Sequence, residues 1–178
     1  MKLILIRHSE TEANINHILQ GKDGGKLTLK GVEQAKKIGK ELREKYKINM
    51  VFCSPLSRCV ETLENILEEY PIEGEIFMSK LIEERDFGEY TGVNRDDINW
   101  KEIDQNNKIN RQMGVEPLID LVKRVNLFWE DLKLEDENST ILVISHYTPI
   151  KIIISRITGK KFDEIEVENG EIMEFEIK

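Results

Sequence analysis

Two histidines and two arginines are the residues whose types and spacing point to chemistry. Arg7-His8 closes an apolar run, Leu3-Ile4-Leu5-Ile6, and His146 closes another, Thr140 to Ser145. Arg58 follows a third, Met50-Val51-Phe52-Cys53, after Ser54-Pro55-Leu56-Ser57. If these runs are neighbouring strands, two imidazoles and two guanidiniums share one pocket, and such a pocket wants a phosphate. Arginine forks match phosphate oxygens bidentately, and phosphoryl transfer needs charge neutralised on the equatorial oxygens more than it needs covalent chemistry. A neutral His8 can act as nucleophile: flanking arginines depress its pKa and keep a lone pair free, while a bound phosphate dianion pulls the other way. His146, protonated, can hydrogen-bond the transferring group.

The elements must bring these residues together. Leu3 to Ile6 is too short for a buried helix and too uniformly apolar for a half-exposed strand, so it reads as a central strand covered on both faces. In an open α/β sheet, ligands bind at the carboxyl ends of the strands, where Arg7-His8 would be presented. Ser54 can cap a helix with Pro55 in its first turn, which places Arg58 beside the positive dipole end. A cation there is unfavourable by about 0.3–1 kcal/mol unless an anion joins it. The loop Ile15 to Lys26, with Gln20-Gly21 and Gly24-Gly25, permits tight turns and close approach of backbone to a ligand. Thr28 starts a helix running to about Lys45, with Ala35, Ile38, Gly39 and Leu42 on its buried face. Glu75 to Ser79 reads as a strand, and Leu81 to Gly92 is charged and Gly-punctuated without a clear period. The polar segment at about 93–115, with Ile98, Trp100 and Ile103 on a short amphipathic helix, reads as a lid or insert. Pro117 opens a helix through Leu134, a further helix spans about Thr148 to Thr158, and Ile172 to Ile177 alternates like an edge strand. Trp100 and Trp129 read as core residues and His17 as surface. The alternation predicts an α/β fold: a three-layer α/β/α sandwich with a mostly parallel central sheet and one antiparallel edge strand.

Composition bounds the reading. The 178 residues suit a single domain, 1–178, large enough to bury a core. With 26 basic and 34 acidic side chains, the net charge of −8 gives no footprint for nucleic acid or an anionic membrane, so any basic site is local. Two cysteines, Cys53 and Cys59, and no apolar stretch of membrane-spanning length predict a cytoplasmic protein with reduced thiols. A metal-hydrolase reading would use His8, His17 and His146, but neither HExxH nor close ligand spacing supports it, and no metal or cofactor is expected. The last strand offers an edge for a homodimer.

Five stretches in order resemble the histidine phosphatase superfamily, also called phosphoglycerate mutase-like. They are RHSETEAN at Arg7 to Asn14, LTLKGVEQA at Leu27 to Ala35, SPLSRCVET at Ser54 to Thr62, EERDFGEYTG at Glu83 to Gly92 and SHYTPI at Ser145 to Ile150. The family pattern is RHG-x-T-x-x-N, then S-x-x-x-R-x-x-x-T, E-x-x-x-G and a late S-H. The resemblance implies that His8 is transiently phosphorylated and that Arg7, Arg58 and His146 hold the phosphoryl group. Asn14 would add a hydrogen bond, with Thr11 and the Gln20-Gly21 backbone nearby. Glu84 would give a proton to the leaving oxygen and later take one from water, with Glu83 as the competing assignment. Arg85 and Tyr147 would contact the rest of the substrate, although Arg85 equally suits an exposed loop position.

Two residues depart from the pattern. Ser9 replaces a glycine and would crowd the phosphate or donate to it, and Tyr147 replaces the glycine common after the second histidine. The implied activity is hydrolysis of a small phosphomonoester of sugar phosphate, phosphoglycerate or α-ribazole phosphate type. The short chain and an insert with only Arg95 and Arg111 as arginines argue against the alternative, a phosphoglycerate mutase. A binding-module reading holds that Ser9 and Tyr147 have left a phosphate sensor with little turnover.

Overall fold

A computed structural model describes residues 1–105 and 107–177; Asn106, within the expected insert, and Lys178 lie outside the described residues. Five strands form one mixed sheet: β1 (Lys2–Arg7), β2 (Met50–Cys53), β3 (Glu75–Met78), β4 (Thr140–Ser145) and β5 (Ile172–Glu176), in the order β3-β2-β4-β1-β5. The pairs β1–β4, β2–β4 and β2–β3 are parallel, and β5 pairs antiparallel with β1 at the edge. This is the sandwich and edge arrangement expected from the alternation of elements.

The two-residue period of a strand divides the core. Leu3, Leu5, Ile141 and Val143 face one side, where they pack with Leu121, Val125, Phe128 and Leu132 of α6 (Leu118–Leu132) and with α7 (Tyr147–Thr158). Ile4, Ile6, Val51, Cys53, Leu142 and Ile144 face the other, against α2 (Leu29–Lys45) and α3 (Ser57–Glu69). Thr28 caps α2 by accepting from the Gly31 amide, as expected. The remaining helices are short: α1 (Glu12–Ile15), α4 (Trp100–Gln105) and α5 (Asn107–Gln112). The expected single amphipathic helix of the insert is thus two short ones, and Ile103 is its buried anchor. Trp129 packs against the core as expected; Trp100 is 37% exposed, with its ring edge on Phe87. Trp100 lines the cavity described below, which explains that departure. No helix among the described residues is long and apolar enough to cross a membrane.

The layer of α2 and α3 depends on a missing side chain. A Cβ at Gly39 would stand 2.6 Å from the Ile66 carbonyl oxygen and 2.9 Å from Glu69 Cβ. In an open helix, glycine to alanine gains about 1 kcal/mol. Gly39→Ala should instead cost roughly 1–3 kcal/mol through overpacking. Urea unfolding checks this: a lower midpoint at constant slope is expected, and a raised midpoint would show that the two helices separate without cost.

Candidate active site at the carboxyl ends of the strands

The sheet order brings the expected residues to one edge. Arg7 and Ser145 are register partners on β1 and β4, so His8 and His146 emerge side by side, with ring centroids 5.3 Å apart. On the far side of β4, β2 leads to α3. The helix begins at Ser57 with Leu56 as an unassisted N-cap, so Ser54 does not cap it and Pro55 lies before it. The Ser54 hydroxyl instead bonds His146 Nε2 at 2.7 Å, an alternative open to a serine buried at a strand end. Arg58 is still in the first helical turn, 1% exposed. Its Nη1 and Nη2 donate to the carbonyls of Asp23 and Gly21, both at 2.8 Å, and its Nε donates to His8 Nε2 at 3.2 Å. Gly21 can turn its carbonyl to the guanidinium at φ +53°, a conformation that glycine adopts readily.

These contacts assign the tautomer of His8. Nδ1 lies 2.9 Å from the Ser9 carbonyl, which only accepts, so Nδ1 carries the proton. Nε2 is left with its lone pair toward Arg58. Burial, then Arg58, then Arg7 hold the His8 pKa well below the usual 6.5. His146 is lowered well below the same value by burial, then Arg58, His8 and Arg7. The expected protonated form of His146 is therefore disfavoured: desolvation and four cationic or potentially cationic neighbours, Arg58, His8, Arg7 and Arg124, act against it.

A cavity of about 830 Å³ opens over this edge, lined by Arg7, His8, Asn14, Gln20, Gly21 and Arg58 at its base. Glu84, Arg85 and Tyr147 also line it. His146 is fully buried behind His8 and does not line it. Arg7 Nη1 donates to the Val167 carbonyl at 2.8 Å, its Nε is buried without a partner, and its guanidinium lies 5.1 Å from the Tyr147 ring centroid. Asn14 Oδ1 accepts from the Thr11 amide and hydroxyl, which turns its Nδ2 away for other use. Thr11 does not line the cavity; as N-cap of α1 its side chain is spent on Asn14, which corrects its assignment as a substrate contact. Glu84 Oε1 accepts from the Arg85 amide at 2.8 Å and Oε2 from the Thr148 amide at 3.4 Å, at the positive end of α7. Glu83 faces Lys22 at 3.2 Å and does not line the cavity. The geometry thus favours Glu84 over Glu83. Arg85 is buried, not an exposed loop residue, because Glu116 and Asp104 engage its guanidinium.

Ser9 does not crowd the cavity either. It is buried outside the lining, and its amide donates to Thr62 Oγ1 at 3.0 Å. His17 is exposed, pairs with Asp96 and does not line the cavity. Among the described residues no group of three or more His, Cys, Asp and Glu is placed to hold a metal ion. Cys53 and Cys59 are free and buried, and burial pushes the Cys59 thiol up to about 12.

Sequence reasoning missed two supports. Residues 167–170 clasp the end of β1: the Val167 carbonyl accepts from Arg7 Nη1, Asn169 Nδ2 donates to the His8 carbonyl at 2.9 Å, and the Gly170 amide donates to the Arg7 carbonyl at 3.0 Å. Arg124 of α6 donates to the carbonyls of Leu81, Glu83 and Glu84 and pairs bidentately with Glu116 at 2.7 and 2.9 Å, which fixes the loop carrying Glu84. The only sequence signal for Arg124 was a charged residue on the apolar helix from Pro117.

Fold and site together define an α/β protein of the phosphoryl-transfer class. The chain belongs to branch 1 of the histidine phosphatase superfamily, whose family model matches residues 3–178. It is 31% identical over 174 residues to a Schizosaccharomyces pombe protein named as a probable phosphatase, covering 95% of this chain and 80% of that one. It is 29% identical over 173 residues to a 2,3-bisphosphoglycerate-dependent phosphoglycerate mutase of Mesorhizobium japonicum, covering 92% and 84%. A mutant phosphoserine phosphatase of Entamoeba histolytica, solved in complex with phosphoserine, superposes with a TM-score of 0.79 at 26% identity, covering 98% and 89%.

The depressed imidazoles link the site to stability. Each folded pKa lies below the unfolded value of about 6.5, so in the window beneath that value the unfolded chain binds protons that the native chain refuses. Stability is retained above that value and falls as the pH drops through the window. The melting temperature should decline between pH 7.5 and 5.5, with His8→Gln removing part of the slope. A slope unchanged by His8→Gln would contradict burial of a neutral His8.

Proposed function

We propose that the protein hydrolyses a small phosphomonoester through a phosphohistidine on His8. The observation that carries this reading is the tautomer of His8, whose Nδ1 proton is held by the Ser9 carbonyl so that Nε2 presents its lone pair beside a buried arginine. In the first step Nε2 attacks phosphorus as the ester P–O bond breaks, and Glu84, as the acid, gives its proton to the leaving oxygen. In the second, Glu84 as base takes a proton from water, whose oxygen forms the new bond to phosphorus. The N–P bond breaks with its electrons returning to Nε2, and inorganic phosphate is released.

Arg7 and Arg58 neutralise the equatorial oxygens, and Asn14 Nδ2 donates a hydrogen bond to one of them. The arriving dianion reverses the electrostatics that depress the histidines, so that His146, behind His8, can take a proton and stabilise the phosphoryl charge. The guanidiniums supply the neutralisation that a metal provides elsewhere, so the reaction needs none. A cavity far larger than a phosphoryl group leaves room for the hydrolytic water, which favours hydrolysis over mutase chemistry, where the phosphohistidine must stay dry.

Turnover of p-nitrophenyl phosphate in EDTA, with acid-labile phosphoenzyme trapped by rapid quench, tests this reading. His8→Ala should lose the trapped species and at least about 10³-fold in kcat. Glu84→Gln should lose about 10²–10⁴-fold on alkyl phosphates and less on aryl esters, whose leaving groups need less proton donation. Phosphatase activity that survives in His8→Ala would sink the proposal.

A further inference from the structure

His146 is fully buried, yet the proposed reaction asks it to take a proton, so its ring needs partners in two charge states. Two side chains gather at one edge of that ring. Ser54 Oγ lies 2.7 Å from Nε2, and Cys59 Sγ lies 3.4 Å from Nε2 and 3.9 Å from Nδ1. Both residues are fully buried too. Neither takes part in the two chemical steps, and Cys59 falls at a position that the family pattern leaves open.

The donors and acceptors at this edge can be counted. A hydroxyl has one proton and two lone pairs. One lone pair of Ser54 Oγ faces the Leu56 amide at 3.4 Å, which leaves one lone pair and the proton. Cys59 gives its own proton to the Ser145 carbonyl at 3.4 Å, so its sulfur turns lone pairs toward the ring. Burial pushes this thiol up to about 12, against Arg58 and a hydrogen bond from the Ser54 side chain, which lower it. It therefore stays protonated near neutral pH and brings no charge.

We infer that Ser54 and Cys59 are positioning residues for His146, holding its Nε2 in both charge states of the ring. This inference rests on the phosphohistidine reading and adds to it the means by which a buried imidazole changes charge. Beside the neutral ring, the Ser54 hydroxyl donates to Nε2. When a bound phosphate draws a solvent proton onto His146, Nε2–H donates to Ser54 Oγ, and the hydroxyl proton turns to the Cys59 sulfur. The imidazolium thus keeps an acceptor where water does not reach. The cations facing His146 oppose its charge: Arg58 on α3, then His8 and Arg7 at the end of β1, then Arg124 on α6. Of the carboxylates, Glu84 acts on Arg7, Arg58 and Cys59. A carboxylate in place of Ser54 would only accept, and would hold the proton on the ring before phosphate arrives.

The chain has three histidines, so NMR of isotopically labelled histidine separates the rings. With saturating inorganic phosphate, the His146 titration midpoint should lie above that of the phosphate-free protein. Ser54→Ala should move the phosphate-bound midpoint down by about 1–2 pH units, a 10- to 100-fold weaker hold on the proton, and Ser54→Thr should restore it. Cys59→Ala should move it the same way by about 3-fold. Because the protonated ring is the active form, kcat of Ser54→Ala should fall further behind the wild type as pH rises, by at least about 5-fold between pH 5.5 and 7.5. Lost packing alone would lower kcat equally across that range. Should Ser54→Ala not fold, Ser54→Cys, a weaker acceptor of similar shape, carries the same expectation. A midpoint that phosphate does not raise, or that both Ser54 variants leave in place, would overturn the inference. One moved by Ser54→Ala and unmoved by Cys59→Ala would overturn the part given to the sulfur. The hydrolase reading fails separately: a phosphate-bound titration that depends on Ser54, in a protein that turns over no ester, leaves the positioning role standing.

Discussion

Burial of Arg58 against His8 is the constraint on which the rest of the structure depends. A guanidinium that is 1% exposed has lost its water, and its Nε–H points at an imidazole whose own protonation it opposes. An isolated buried cation costs several kcal/mol, and the chain offsets this with dipoles rather than with a carboxylate. The Gly21 and Asp23 carbonyls hold Arg58, and the Val167 carbonyl holds Arg7. Carbonyls carry partial charge, so they fix the guanidiniums without neutralising them, and the full positive charge remains for a phosphoryl group. A paired aspartate in the same place would neutralise that charge and compete with any anionic ligand.

That arrangement explains why loops remote in sequence converge on the edge. The chain between β1 and α2 brings Gly21 and Asp23, and residues 167–170 return to the ends of β1 to bind the Arg7 side chain and the carbonyls of Arg7 and His8. Arg124 does for the Glu84 loop what these carbonyls do for the arginines. It reaches three backbone oxygens there and balances its charge on Glu116, so Glu84 is held by its own main chain while its carboxylate faces the cavity. Phosphoryl transfer demands positioned charge more than reactive groups. Much of this chain serves to hold charges at fixed places.

What was legible in the sequence follows from this division. Apolar runs ending in Arg7-His8 and His146, and Arg58 just inside a helix, were readable because strand ends are fixed by the period of the run and by the polar residue that breaks it. The sandwich and its antiparallel edge were readable for the same reason. The carbonyl contacts were not, since any residue type supplies a carbonyl and only the path of the loop decides which one arrives. The cap signal misled at Ser54, and the family resemblance at Thr11. Both are good caps by type, but Ser54 gives its hydroxyl to His146, and Thr11 caps only a four-residue helix and so cannot also face a ligand. Arg85 read as a loop residue of either environment because its burial depends on Glu116 and Asp104, 31 and 19 residues away.

The two departures from the family pattern fall on opposite sides of the catalytic edge. Side chains alternate at the end of a strand. His8 therefore faces the cavity while Ser9 is buried outside its lining, with its amide donating to Thr62 Oγ1 and its hydroxyl without a partner. Tyr147 stands inside the cavity. Its ring lies against Arg7 on one side and Lys151 on the other, and its hydroxyl links Lys151 to Glu166. A glycine at this position would leave Arg7 without its aromatic face and Lys151 with only that of Phe162. The Ser9 side chain thus lies outside the cavity, whereas Tyr147 stands in its wall with Arg7 and Lys151 over its ring. The departure at Tyr147, not that at Ser9, therefore changes the lining of the cavity.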